Sequence, residues 1–316
     1  MLAVGMISLG QTPVSAQSEF DLYGGFWIPF LPDYKAASIV SNGGGTVLRP
    51  NLVNDTISDV GGQIGLRGLY HFAPTRTMLE FDVNVAGIDR MGSRESFADP
   101  GPTSTIWMAN LTGNAFLATG DGDTATFTRD SDVLNHSQYI GLRDRFDLCP
   151  YGIGLLDIGF GFSHMAYDQD HDFLGEFSSD LSGQYLEDVD NDYYGVDIRS
   201  TITRAMGGRP VKLDFNFGTY DLDGSYDGTS VFRNAGGTVI NTARVVDSLS
   251  KTAYTVDLAM RVDAQWGRVL VRPGISVKYI SDMVSINHPQ TTAAAIPASI
   301  GTDDAFVLGV NLELML

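Results

Sequence analysis

Along the last stretch of the chain every second residue is apolar. Phe306, Leu308, Val310, Leu312, Leu314 and Leu316 alternate with Val307, Gly309, Asn311, Glu313 and Met315. The same period of two runs through Tyr254, Val256, Leu258, Met260 and Val262, set against Thr255, Asp257, Ala259 and Arg261. Side chains of a strand point alternately to opposite faces, so this spacing sorts the two sets onto two surfaces of a sheet. Apolar residues at i, i+3, i+4 and i+7 persist nowhere, so an all-β chain is expected.

Ten strands are expected, at about 19–30, 58–72, 77–89, 134–147, 151–164, 192–206, 211–222, 252–264, 268–281 and 304–316. Each is long against the usual about 5–6 residues and suits the about 9–11 of a tilted membrane-crossing strand. Four connections are tight: Ala73-Pro74-Thr75-Arg76, Leu148-Cys149-Pro150, Gly207-Gly208-Arg209-Pro210 and Gln265-Trp266-Gly267. Five are long: 31–57, 90–133, 165–191, 223–251 and 282–303. Long and tight alternate strictly, as in an antiparallel up-and-down transmembrane β-barrel with five extracellular loops and four periplasmic turns. Residues 1–16 are uncharged, with a short apolar run and Val14-Ser15-Ala16 before Gln17. They read as a shortened export signal, which leaves 17–316 as a single barrel domain.

The two faces differ in kind. One carries Ile64, Leu66, Tyr70 and Phe72, Leu79, Phe81, Val83 and Val85, Leu156, Ile158, Phe160 and Phe162, with almost no charge. The other carries Arg67, Glu80, Asp82, Asp197, Arg199, Lys212, Asp214, Asp257, Arg261, Asp263, Arg272 and Lys278. A soluble barrel with its apolar face inside fits the same alternation. Arg mixed with Asp suits a confined polar interior better than a solvated surface, so the charged set is assigned to the lumen. Asp144 falls on the lipid-facing parity and Pro273 inside a strand, which leaves the register least secure there.

The export-like start, the sorted loops, the stretch GLRGLYHFAPTRTMLEFDVN and the closing DAFVLGVNLELML resemble the Gram-negative outer-membrane β-barrel superfamily, porin-like pore-forming proteins included. That resemblance implies an outer-membrane location, contact with outer-membrane lipid and lipopolysaccharide, and assembly by the barrel-assembly machinery. Such barrels usually end on an aromatic residue; this chain ends on Leu316.

The net charge of −18 lacks the basic footprint of a nucleic-acid binder. The one cysteine, Cys149, excludes an intrachain disulfide and a cysteine-cluster metal site. Asp168, Asp170 and Asp172 offer oxygen ligands for a loop-bound Ca²⁺, without the Gly and Glu of a full calcium loop. No other cofactor is expected. His136, His164, His171 and His288 near Asp168 and Asp170 leave an omptin-like hydrolase as a remote reading, and no enzyme is expected. Two readings of the lumen stay open: passage of small solutes or ions, or a barrel plugged by its own ion pairs, binding partners through acidic loops. Loop 90–133 is long enough to fold inward and narrow the opening.

Overall fold

The computed structural model describes residues 18–42, 46–72, 75–98, 100–120, 122–152, 154–267, 269–290 and 295–315. The export-like segment 1–16 and Leu316 lie outside them. In chain order the strands are β1 (Ser18–Ala36), the short β2 (Ser38–Ser41), β3 (Val47–Arg49) and β4 (Val53–Ile57), β5 (Gly61–His71), β6 (Thr77–Ala98), the short β7 (Ser104–Ala109) and β8 (Phe116–Ala118), β9 (Thr124–Asp147), β10 (Leu155–Phe177), β11 (Ser182–Met206), β12 (Arg209–Arg233), β13 (Val239–Val262), the short β14 (Ala264–Trp266), β15 (Val269–Asn287) and β16 (Ser299–Met315).

Ten of these pair antiparallel in the order β1-β5-β6-β9-β10-β11-β12-β13-β15-β16. The pairing of β16 with β1 through Phe26↔Val310 and its neighbours returns the sheet to its start. The β1–β5, β6–β9 and β13–β15 steps pass over short strands, and every ring strand pairs with the next ring strand along the chain, so this is an all-β antiparallel up-and-down ring.

At one end, here the near end, the connections are short. β11 and β12 are joined by Gly207 and Gly208 alone, at φ 59 and 81. Two successive positive φ values make the turn whose twist matches an antiparallel hairpin, and glycine adopts them without strain. Cys149–Tyr151 form one 3₁₀ turn between β9 and β10. Pro273 sits where the ladder beside β15 breaks: Gly274 still faces Arg261 of β13, and Val271 faces Ala264 of β14. A residue without an N–H fits that gap. Asp144 is exposed on the outward face near the end of β9, between Leu142 and Phe146.

The strands run much farther than expected at the far end. β11 and β12 have 25 residues each. The expected loop 165–191 is the top of the β10–β11 hairpin, paired from Met165↔Tyr193 to Glu176↔Ser182. The expected loop 223–251 is likewise strand for most of its length, 282–303 is strand for half of it, and 90–133 is strand at both ends.

The reason lies in the faces. On the lower part of β10, Ile158, Phe160 and Phe162 point outward and are exposed, while Asp157 points inward and is buried. Above His164 the alternation continues with its polarity inverted: Asp170 and Asp172 point outward, while Tyr167, His171 and Phe173 point inward and are at most 4% exposed. β11 and β12 invert at the same level. The lower wall is apolar outside and polar inside; the upper wall is polar outside with an apolar core.

That core is closed above. β3, β2, β7 and β8 form a small sheet in that order, and Ile106 and Met108 of β7 and Leu111 of the β7–β8 connection are fully buried. Segment 90–133 thus reaches inward, over the far mouth. Leu111 N donates to Ser230 Oγ at 3.1 Å, and Ala298 N donates to Leu111 O at 2.6 Å.

Candidate functional site: the interior of the ring

Because side chains alternate, strands from all round the ring deliver polar groups into one space. The register places Arg67 of β5 beside Asp82 of β6, Arg199 of β11 next along from Asp197, and Arg261 of β13 beside Asp214 through the β12 ladder. The Arg261 guanidinium forks onto Asp214, with Nε 2.8 Å and Nη2 2.7 Å from its two oxygens, and Nη1 donates to Glu313 at 2.8 Å. Glu313 also accepts from Arg272 at 2.8 Å, and Arg272 reaches Asp263 at 2.5 Å and Asp21 at 3.1 Å. Arg67 lies 3.6 Å from Glu313 and 3.1 Å from Asp82. Arg199 lies 3.4 Å from Asp82 and 3.8 Å from Glu80, which holds Arg143 at 2.9 Å.

These contacts form one connected chain of charges from Asp263 to Arg143, with members on β1, β5, β6, β9, β11, β12, β13, β15 and β16. It crosses the interior from wall to wall. Fork-shaped Arg suits this, because each guanidinium can hold two carboxylates at once.

Directly above lies a polar cavity of about 170 Å³. Among the twelve charged residues assigned to the lumen, Arg67, Glu80, Asp82, Asp197, Arg199, Asp214, Asp257, Arg261 and Lys278 line it, while Lys212, Asp263 and Arg272 sit toward the near end. Asn84 Oδ1, Tyr139 Oη, Arg199 Nε and Asp257 Oδ1 have no hydrogen-bond partner among the described residues. Arg199 stacks 3.5 Å over the Tyr139 ring. Orphaned donors and acceptors around a cavity of this size suit a handful of water molecules.

Over the cavity sits an aromatic layer. Trp27, Tyr167, Tyr193 and Tyr220 are each at most 4% exposed, and Tyr220 Oη donates to Asp197 at 2.5 Å. Higher still, Glu187 of β11 and His288, just past β15, are fully buried. Glu187 Oε1 lies 2.8 Å from His288 Nε2 and accepts from Tyr226 Oη at 2.7 Å; Oε2 accepts from Tyr34 Oη. His288 Nδ1 is 2.6 Å from Lys35 O. Both ring nitrogens face oxygens, which favours imidazolium.

Burial opposes both charges. Their mutual attraction and hydrogen bonds prevail, holding the His288 pKa above and the Glu187 pKa below their ordinary values. His171, whose Nδ1 is 2.8 Å from Ser131 Oγ, has no such partner, and burial lowers its pKa to about 4. This cluster was absent from the sequence reading. Its signal was the alternation of Tyr185, Glu187, Val189 and Asn191 with Leu186, Asp188 and Asp190, hidden inside a presumed loop.

Asp168, Asp170 and Asp172 are not in a loop. They occupy alternate positions of β10 on its outward face, about 7 Å apart along a straight strand, and cannot wrap one ion as a calcium loop does. Among the described residues no group of three or more His, Cys, Asp or Glu is placed to hold a metal. The strands instead assemble a wider acidic wall: Asp132, Asp170, Asp188 and Asp227 face one another in register across four strands. Partial burial and the neighbouring carboxylates raise the pKa of Asp168 and Asp188.

Two of the four histidines share the outer face with Asp168 and Asp170, and His136 is close enough to act on the Asp168 carboxyl. His136 and His164 lie on the outer face with ring centroids 5.3 Å apart, His164 being 3.2 Å from Asp192; His171 and His288 are inside.

No family model and no curated protein matches the chain. Solved structures do. The outer membrane protease OmpT of Escherichia coli is similar over 96% of this chain and 99% of its own, at 7% identity and TM-score 0.45. A Pseudomonas aeruginosa FadL homologue is similar over 94% and 90%, at 9% identity and TM-score 0.26. The outer-membrane expressed OmpT of Vibrio cholerae is similar over 96% and 99%, at 8% identity and TM-score 0.21.

Proposed function

We propose that the chain is a ten-stranded outer-membrane β-barrel, closed along its axis, that holds a rigid acidic surface outside the membrane for partners to bind. The observation that carries this reading is the filled interior: a wall-to-wall chain of ion pairs, then an aromatic layer, then a capped core. Membrane placement is supported by the outward band of Phe26, Ile64, Ile140, Phe160, Phe162, Ile198, Leu258 and Ile275, all exposed around the lower ring. An apolar band of this kind is stable against lipid and unfavourable in water. The far end, with its polar outer wall, is then the extracellular end.

The test is single-channel recording on the protein reconstituted in planar bilayers. Absence of steps supports the closed barrel. Reproducible steps at low voltage would support small-solute passage instead, the reading favoured by the polar cavity around Asn84, Tyr139 and Lys278.

A further inference from the structure

The upper wall is not paired all the way round. β15 leaves β13 after Ile280 faces Thr255, and Asp282 turns at φ 59. The β15–β16 hairpin then bends inward and buries Met283, Val284 and Ile286. β13 continues upward from Tyr254 to Val239 with β12 on one side and no described strand on the other. Tyr254 N donates to Ser281 Oγ at 2.8 Å, so Tyr254 and every second residue above it turn their backbone groups away from β12. Asp247 accepts from Ser248 N at 2.9 Å and Ile300 N at 3.0 Å, and Lys251 pairs with Asp282. These stitches hold the hairpin behind the edge. Above them, the N–H and C=O groups of Thr242, Arg244 and Val246 face solvent, and no residue from 239 to 252 is buried.

Natural sheets protect such an edge with Pro, Lys or a bulge. Between Asn241 and Val246 there is no Pro, Lys or bulge, and the one charge there, Arg244, is turned back onto Asp227; the register shift lies beyond, at Ile240. The residues are β-prone, and Val246 is 67% exposed. On the inner side, Val245, Leu249 and Ile300 offer partly buried apolar surface. On the outer side, the row Asp132, Asp170, Asp188, Asp227 runs directly into Val246, and Arg244 already reaches back to Asp227 with Nε 2.8 Å from Oδ1.

We infer that the β13 edge binds an extended segment of another protein by antiparallel strand addition, the segment alternating apolar residues facing inward with basic residues facing outward. The backbone supplies the pairing. The apolar positions cover Val245 and Leu249, and a long basic side chain opposite Val246 reaches over it toward Asp227, the near end of the acidic row, two strands away. A second copy of this chain is disfavoured as occupant, because it brings the same net charge of −18 and the same aspartates. The inference rests on the proposed placement of the far end outside the membrane, but its test does not.

The test uses the full chain with Cys149→Ser in zwitterionic micelles, and labelled ten-residue peptides alternating Lys with Val, Glu with Val, or Lys with Val around a central Pro pair. Saturable binding is expected for the uninterrupted Lys–Val peptide alone, with a peptide cysteine crosslinking to Val246→Cys. Thr242→Pro removes an edge N–H and leaves the β12 ladder intact. Val246→Lys adds a repelling charge at an exposed position and so leaves folding unaffected. Each weakens binding by about tenfold or more, while Ser96→Lys, on β6, does not. Undiminished binding to both β13 variants, or equal binding of the Glu–Val peptide, overturns the inference. So does Val246→Cys crosslinking into dimers without peptide, which makes a second copy the occupant.

Discussion

At the scale of single residues, the interior is governed by groups that cannot lose a partner cheaply. Glu313 holds Arg261 and Arg272 together. Glu313→Gln leaves both guanidiniums short of charge in a buried place, and a loss of about 3–5 kcal/mol is expected in urea unfolding from micelles. His171 and His288 respond to pH in opposite senses. His171 has a folded pKa of about 4, below its unfolded value, so the unfolded chain binds the extra proton first. The stability it contributes is full above about 6.5 and is lost as pH falls toward about 4. His171→Asn, with Tyr34, Arg129, Glu187 and His288 left in place around it, should flatten the acid limb of a melting-temperature profile. His288 is raised, so its contribution is full below about 6.5 and is lost as pH rises through its folded pKa. His288→Asn should flatten the alkaline limb and leave the acid limb standing. Identical profiles for the two variants would show that the Glu187 pairing does not separate them.

At the scale of the element, β10, β11 and β12 are each a single alternating run with one inversion of polarity. Leu258 is outward and 48% exposed, while its neighbour Ala259 lines the cavity. Leu258→Arg should therefore impair folding into bilayers by about 2–4 kcal/mol, and Ala259→Arg should be tolerated better; the reverse order in a liposome-refolding assay would mean that the faces are exchanged. The inversion also explains what the sequence disclosed. The lower halves of the strands were legible because apolar residues alternate with charges there, as in Leu213-Asp214-Phe215-Asn216-Phe217. The inward placement of Arg67, Arg199, Arg261 and Arg272 followed from the same parity. The upper halves suggest loops in the sequence because the inward members mix Tyr with Gly, His and Glu, and the outward members are Asp, a residue typical of turns. The β7–β8 cap and the Glu187–His288 pair were illegible, since both depend on contacts between segments more than a hundred residues apart, such as Leu111 with Ser230.

At the scale of the whole molecule, the proposed orientation makes labelling of intact cells decisive. Cysteines at Asp180 or Gly236, in the far tips, should react with an impermeant maleimide, and cysteines at Thr75 or Gly208, in the near turns, should not. Equal labelling of both sets would place the two ends on the same side. The inverted wall also bears on how such a molecule reaches its place. A chain that enters the membrane from the near side must carry its far hairpins through hydrocarbon. The β10–β11 and β12–β13 hairpins take Asp168, Asp170, Asp172, Asp188, Asp190, Asp192, Asp221, Asp223 and Asp227 with them. Each ionised carboxylate at mid-bilayer costs about 2.5–3.5 kcal/mol, so the crossing is the slow event, and neutralising the carboxylates shortens it. Refolding into pure lipid vesicles should accelerate as pH falls toward the carboxylate range, even while the finished protein loses the stability that His171 contributes at neutral pH. The conditions that best insert this chain are then not the conditions that best preserve it.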